Sequence, residues 1–225
     1  PVYKVKNIET LNKKINSVFG KLLIGLEYVF KRKGPMTMGA SQLCGFAKSD
    51  PTRDTPNLQF HIQPISTDKL GGADLHDFHA FTPTVANIRP TSRGEITISS
   101  SDTKINPKIK MNYLSTDEDR KVAVDGIKLI RKIVMETNEF KKYEPEEFRP
   151  GSHLKEKEEI VKACSHYAQT IFHPVGTCKM GNDESAVVSD KLKVHGLNKL
   201  RVIDASIMPN ITSGNTNAPT IMIAE

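Results

Sequence analysis

The sequence predicts a mixed fold, α/β together with α+β, and three observations carry that reading. A long stretch near the start repeats apolar residues at helical spacing, a second helix opens midway with a capping signature, and short alternating segments between them have the pattern of half-buried strands. With 225 residues, 37% of them hydrophobic and 26% charged, the chain can bury a core and is unlike a disordered one.

Residues 8–33 read as the first helix, because Leu11, Ile15, Val18, Leu22, Leu26 and Val29 recur on one side and Gly34-Pro35 ends the run. Residues 57–64 alternate Leu58, Phe60 and Ile62 as a strand, and Gly71-Gly72 marks a turn. Residues 81–89 read as a further strand, which Pro83 restricts to an edge or a bulge at that point. Residues 95–99 form a short alternating strand. Ser115 and Glu118 then make an S-x-x-E capping box, and Asp117, Glu118 and Asp119 favour the positive end of the helix that follows. Pro145 and Pro150 punctuate a linker, 154–170 is a further helix, 200–204 a compact strand, and 218–225 the start of an apolar helix. Pro1 in place of Met and an end inside a helical pattern suggest a piece of a longer polypeptide.

Composition excludes several classes. The net charge of +6 comes from lysines spread along helical stretches, and aromatics are only 6%, so no nucleic-acid surface is expected. No apolar run approaches the roughly 20 residues of a transmembrane helix. Cys44, Cys164 and Cys178 form neither a disulfide framework nor a CxxC pair, which makes a reducing cytoplasm the expected setting. No cluster has metal-ligand spacing, so no metal is expected.

Two segments carry the chemistry. The first is Phe172-His173-Pro174-Val175-Gly176-Thr177-Cys178-Lys179-Met180-Gly181. The second runs from Leu200 through Asp204, Ala205 and Ser206 to Asn210, and on to Asn215-Thr216-Asn217-Ala218-Pro219-Thr220. An acid at a strand end, a Gly/Asn-rich loop and a helix N-terminus suit cofactor binding, because free backbone amides and the helix dipole attract anionic groups. A single histidine is more often structural than catalytic, and the sequence has seven of them, His173 among them.

These two segments, with Arg89-Pro90-x-Ser92-Arg93-Gly94 and Asn112-Tyr113-Leu114-Ser115 before them, resemble the C-terminal homology region of glucose–methanol–choline oxidoreductases, in the manner of bacterial choline dehydrogenase-like members. The likeness is strong over about 81–225. It implies the C-terminal part of a two-domain FAD-dependent oxidoreductase: a sheet-and-helix substrate-binding portion over 1–170, and 171–225 supplying the last strand and helix of the FAD-binding domain. It implies oxidation of a small-molecule alcohol to an aldehyde or ketone, with oxygen or a quinone as electron acceptor. The catalytic positions fall on His173 and Asn215. Asp204, Ala205, Asn215, Thr216 and Asn217 fall on the cofactor side. Loops such as 69–80 would select the alcohol, and peripheral contact with an inner membrane is compatible with the reading.

Asn215 also reads as a simple cap for the last helix, Asp204 as a turn-fixing residue, and Cys178 as a packing residue. The family's GxGxxG turn does not occur in these 225 residues. Activity is therefore expected to need a preceding part of the same polypeptide. Two other outcomes remain open: hydroxynitrile lyase-type acid–base chemistry on the same fold, and an inactive fragment or binding module.

Overall fold

The computed structural model describes residues 1–39, 41–68 and 74–225. The Gly71-Gly72 turn and the start of the proposed specificity loop therefore lie outside the described residues. The chain divides into two compact units, residues 1–86 with 121–169, and residues 87–120 with 170–225.

The first unit is built on a five-stranded sheet of order β2-β3-β4-β1-β7, formed by β1 (Val2–Lys4), β2 (Leu43–Ala47), β3 (Leu58–Gln63), β4 (Ala80–Asn87) and β7 (Glu146–Arg149). β1 pairs antiparallel with both β4 and β7, and β2 pairs antiparallel with β3. Long helix α3 (Asp117–Glu136) packs its apolar side on the sheet. Ile130 and Val134 meet Tyr3, Val5 and Phe81, while Val124 and Ile127 join Ile160 of α5 (Lys157–Tyr167). Gly126 allows the close approach: a Cβ there would lie 3.1 Å from a methyl of Val85. The two preceding helices are α1 (Leu11–Asn16) and α2 (Val18–Lys31); short α4 (Asn138–Lys141) follows α3.

Several sequence expectations shift here. The single helix over 8–33 is two helices, because Ser17 adopts an extended backbone and its hydroxyl accepts from Gly20 N, capping α2. β4 lies inside the strand order, but at Pro83 itself its β1 side is open, in keeping with the edge position expected at that point. The proline is tolerated because the register of β4 with β1 ends at Phe81, before the proline is reached. The cap of α3 is Thr116, whose hydroxyl accepts from Asp119 N at 3.3 Å, while the Ser115 amide is turned to the Ser92 hydroxyl. The expected linker between Pro145 and Pro150 contains β7, an edge strand whose alternation is masked by its charge. The helix expected over 154–170 is shorter and starts with a capping box of Glu156 and Glu159.

The second unit has little regular structure. It holds a two-stranded hairpin of β5 (Glu95–Thr97) and β6 (Lys108–Lys110), a 3-10 turn at Ala205–Ile207, and the last helix α6 (Asn217–Ala224). The strand expected over 200–204 is reduced to one bridge between Lys193 and Arg201. Its segment is extended but finds no continuous partner among the described residues, so the apolar Ile203 stays 44% exposed. No helix is long and apolar enough to cross a membrane among the described residues.

Candidate active site

The second unit brings the two chemistry-bearing segments together. Cys178 N donates to Ser206 O at 3.0 Å and Met180 N to Ile207 O at 2.8 Å, which zips the histidine segment along the 3-10 turn. Gly176 makes the approach possible at φ 93°, and a Cβ there would lie 3.3 Å from Met208 O. Val188, Ile207 and Met208 are buried around this seam. Arg93 steadies the following loop by donating to Asn210 Oδ1 at 2.6 Å.

His173 follows Phe172, whose φ of 63° puts a bulky aromatic in the left-handed region and turns the chain sharply. The imidazole is held from both sides. Thr216 Oγ1 lies 3.1 Å from Nδ1, and Asn215 Nδ2 lies 2.9 Å from Nε2. An amide NH2 only donates, so Nε2 accepts and the ring proton resides on Nδ1, donated to the threonine hydroxyl. In that arrangement the acceptor nitrogen of the ring lies on the Asn215 side. Thr216 is buried, Asn215 exposed and His173 in between. One face of the pair is thus fixed, while the other is accessible.

Asn215 and Thr216 immediately precede α6, whose N-cap is Thr216, and Asn215 meets the histidine ring. The sequence assigned Thr216 to the cofactor side and missed it as the partner of His173; adjacency to Asn215 was the available signal. The amides of Asn217 and Ala218 begin the helix without intrahelical acceptors, and Pro219 has no N–H to offer. Asp204 caps the 3-10 turn by accepting from Ser206 N at 2.7 Å. Hydrogen bonds from Ser206, side chain first and amide second, hold its carboxyl below the usual carboxylate range. Ala205 follows within that turn. No group of three or more metal-ligating side chains comes together among the described residues.

The family model for the GMC oxidoreductase C-terminal domain matches residues 90–224, which span both segments, and the chain belongs to the GMC oxidoreductase family. It is 46% identical over 204 residues to an alcohol dehydrogenase (acceptor) of Pseudomonas putida, covering 90% of this chain and 37% of that protein. It is 42% identical over 202 residues to an oxygen-dependent choline dehydrogenase of Proteus mirabilis, covering 90% of this chain and 36% of that protein. A formate oxidase of Aspergillus oryzae, in a variant studied for FAD modification, superposes over the whole chain and 44% of its own length with a TM-score of 0.88 at 25% identity. A pyridoxine 4-oxidase (Mesorbium loti) superposes over 82% of this chain and 36% of its own at a TM-score of 0.73 and 27% identity. The chain thus spans little more than a third of the length of the curated relatives it matches. The family binds FAD.

Proposed function

We propose that the polypeptide containing this chain oxidises the hydroxyl group of a small-molecule alcohol to an aldehyde or ketone, with FAD as cofactor and His173 as the base. The single observation that carries this is the His173 Nε2 to Asn215 Nδ2 contact of 2.9 Å, a lone pair and an N–H donor side by side on an accessible face. An alcohol oxygen entering between them, within ordinary hydrogen-bond reach of about 2.8 Å, takes the place of that contact and satisfies each group. It gives its proton to Nε2 and accepts from Asn215 as negative charge grows on it. Thr216 holds the ring so that Nε2, and not Nδ1, meets the substrate.

The cofactor's chemistry, when it is bound, is acceptance of a hydride and later reoxidation by oxygen or a quinone. The donor set fits such a group, since the amides of Asn217 and Ala218 are left for an external oxygen and the dipole of α6 favours negative charge there. Asp204, Ala205, Asn215, Thr216 and Asn217 are the residues proposed to border it. A reducing, cytoplasmic setting with peripheral membrane contact completes the reading. The test is anaerobic mixing of the FAD-loaded, full-length protein with a panel of primary alcohols, choline among them. Bleaching of the oxidised flavin by at least one of them is expected, and its absence across the panel would sink the proposal.

A further inference from the structure

α2 is the least covered apolar element of the first unit. Val18, Phe19, Leu22, Leu23, Leu26, Val29 and Phe30 are all exposed, Val18 at 86% and Phe30 at 78%, and no residue of the helix is buried. At 100° per residue these seven fall on one stripe about 140° wide, the breadth of a helix face that normally packs on a core. The opposite side carries Lys21, Glu27 and Lys31. Around the helix stand Lys13 and Lys14 before it and Arg32 and Lys33 after it. Residues 13–33 thus hold six cations against one acid. Of the cations, Lys21, Lys31 and Lys33 make no ion pair among the described residues.

We propose that α2 lies in the plane of an anionic lipid surface, with its apolar stripe among the acyl chains and its lysines at the headgroups. Charge complementarity selects this occupant. A broad apolar face with cations on its polar side and just past its C-terminal end is the composition of an interfacial helix, and long lysine stems reach from the boundary to the phosphates; Lys13 and Lys14, before the helix, are paired with Asp77 and Glu9. The inference deepens the peripheral location proposed above and names its segment. It is independent of the redox chemistry, so failure of one leaves the other standing.

The test uses the full-length, FAD-loaded protein in sedimentation with two kinds of vesicle, pure phosphatidylcholine and a mixture with about a third phosphatidylglycerol. The protein should bind the anionic vesicles and release as salt is raised. Lys21→Ser, Lys31→Ser and Lys33→Ser together should weaken binding to them by about 10²-fold at low ionic strength. Leu22→Asp with Leu26→Asp should abolish binding to both kinds while FAD content and alcohol oxidation stay normal. A Val29→Cys probe in a Cys44→Ser background should react with a soluble maleimide before vesicles are added and be shielded afterwards. Three results would overturn the proposal. They are absence of vesicle binding, a Val29→Cys thiol already shielded in solution (the stripe then being covered by protein of the same polypeptide or a second copy), and loss of FAD or solubility in the aspartate variant.

Discussion

His173 and Asn215 are 42 residues apart in sequence, yet Nε2 of one and Nδ2 of the other stand 2.9 Å apart. Under the proposed reaction the two members have different work, because an imidazole nitrogen can take up a proton and a side-chain amide cannot. Substitution should separate those roles.

Replacing His173 removes the proposed proton acceptor while leaving the surrounding seam of Cys178 and Met180 intact. His173→Ala in the full-length protein should slow anaerobic flavin reduction by about 10²-fold or more, the usual size of a general-base effect, with FAD content nearly unchanged. Stopped-flow absorbance is the measurement, and an unchanged rate would take His173 out of the mechanism.

Asn215→Ala should slow the same step but preserve the shape of its pH profile, since the group lost has no proton to exchange. Thr216→Val differs in kind. Without an acceptor for the Nδ1 proton the ring is free to change tautomer, so both rate and pH profile should move. Should Asn215→Ala shift the profile as far as Thr216→Val does, the division of labour is wrong.

The parts legible in the sequence are those where local chemistry and final environment agree. The alternation of Leu58, Phe60 and Ile62 gives β3, and the acidic start with its apolar face gives α3. The strand β1, only three residues long, shows no periodicity, and β7 reads as Glu-Glu-Phe-Arg with charge at three of four positions. Both are strands because they pair with each other, and β1 also pairs with β4, a partnership the local sequence does not announce. In the site, motif context singled out His173 and Asn215. Thr216 escaped as a partner because its role depends on a backbone turn that brings residues 173 and 216 within 3.1 Å.

Asp119 organises the beginning of the family-matched region. Its Oδ1 accepts from Thr91 N, Thr91 Oγ1 and Asn87 Nδ2, and its Oδ2 from Ser92 N. Burial works against its charge, yet the hydrogen bonds of Ser92 and Thr91 prevail and hold its carboxyl below the ordinary range. A carboxyl with a depressed folded pKa adds stability that is complete above its unfolded value of 3.8 and is lost as pH falls through the folded one. Asp119→Ala should cost about 3 kcal/mol at neutral pH, since two backbone amides lose their acceptor. It should also flatten the acid limb of the stability curve below about pH 4. Urea unfolding at several pH values gives both quantities.

Glu147 presents the opposite problem, a carboxylate almost wholly out of water. Its side chain is 1% exposed, and it receives Arg131 through Nε to Oε2 and Nη2 to Oε1, both at 2.8 Å, with Gly151 N and Tyr3 Oη as further donors. Arg131 in turn donates to Leu154 O and Gly151 O, so one guanidinium ties α3, β7 and the turn after it. Burial and the nearby Glu147 charge both push the Tyr3 phenol upward, which favours its role as a donor. Removing one member of such a pair strands the other charge: Glu147→Leu or Arg131→Met alone should each cost about 3–5 kcal/mol. The two together should cost clearly less than the sum, because neither charge is then left buried without its partner. Raising the salt should leave the wild-type contribution almost unchanged, since a pair this enclosed is poorly screened. Chemical denaturation of the full-length wild type, both single variants and the double variant closes the cycle, and strict additivity would show that the pair does not act as a unit.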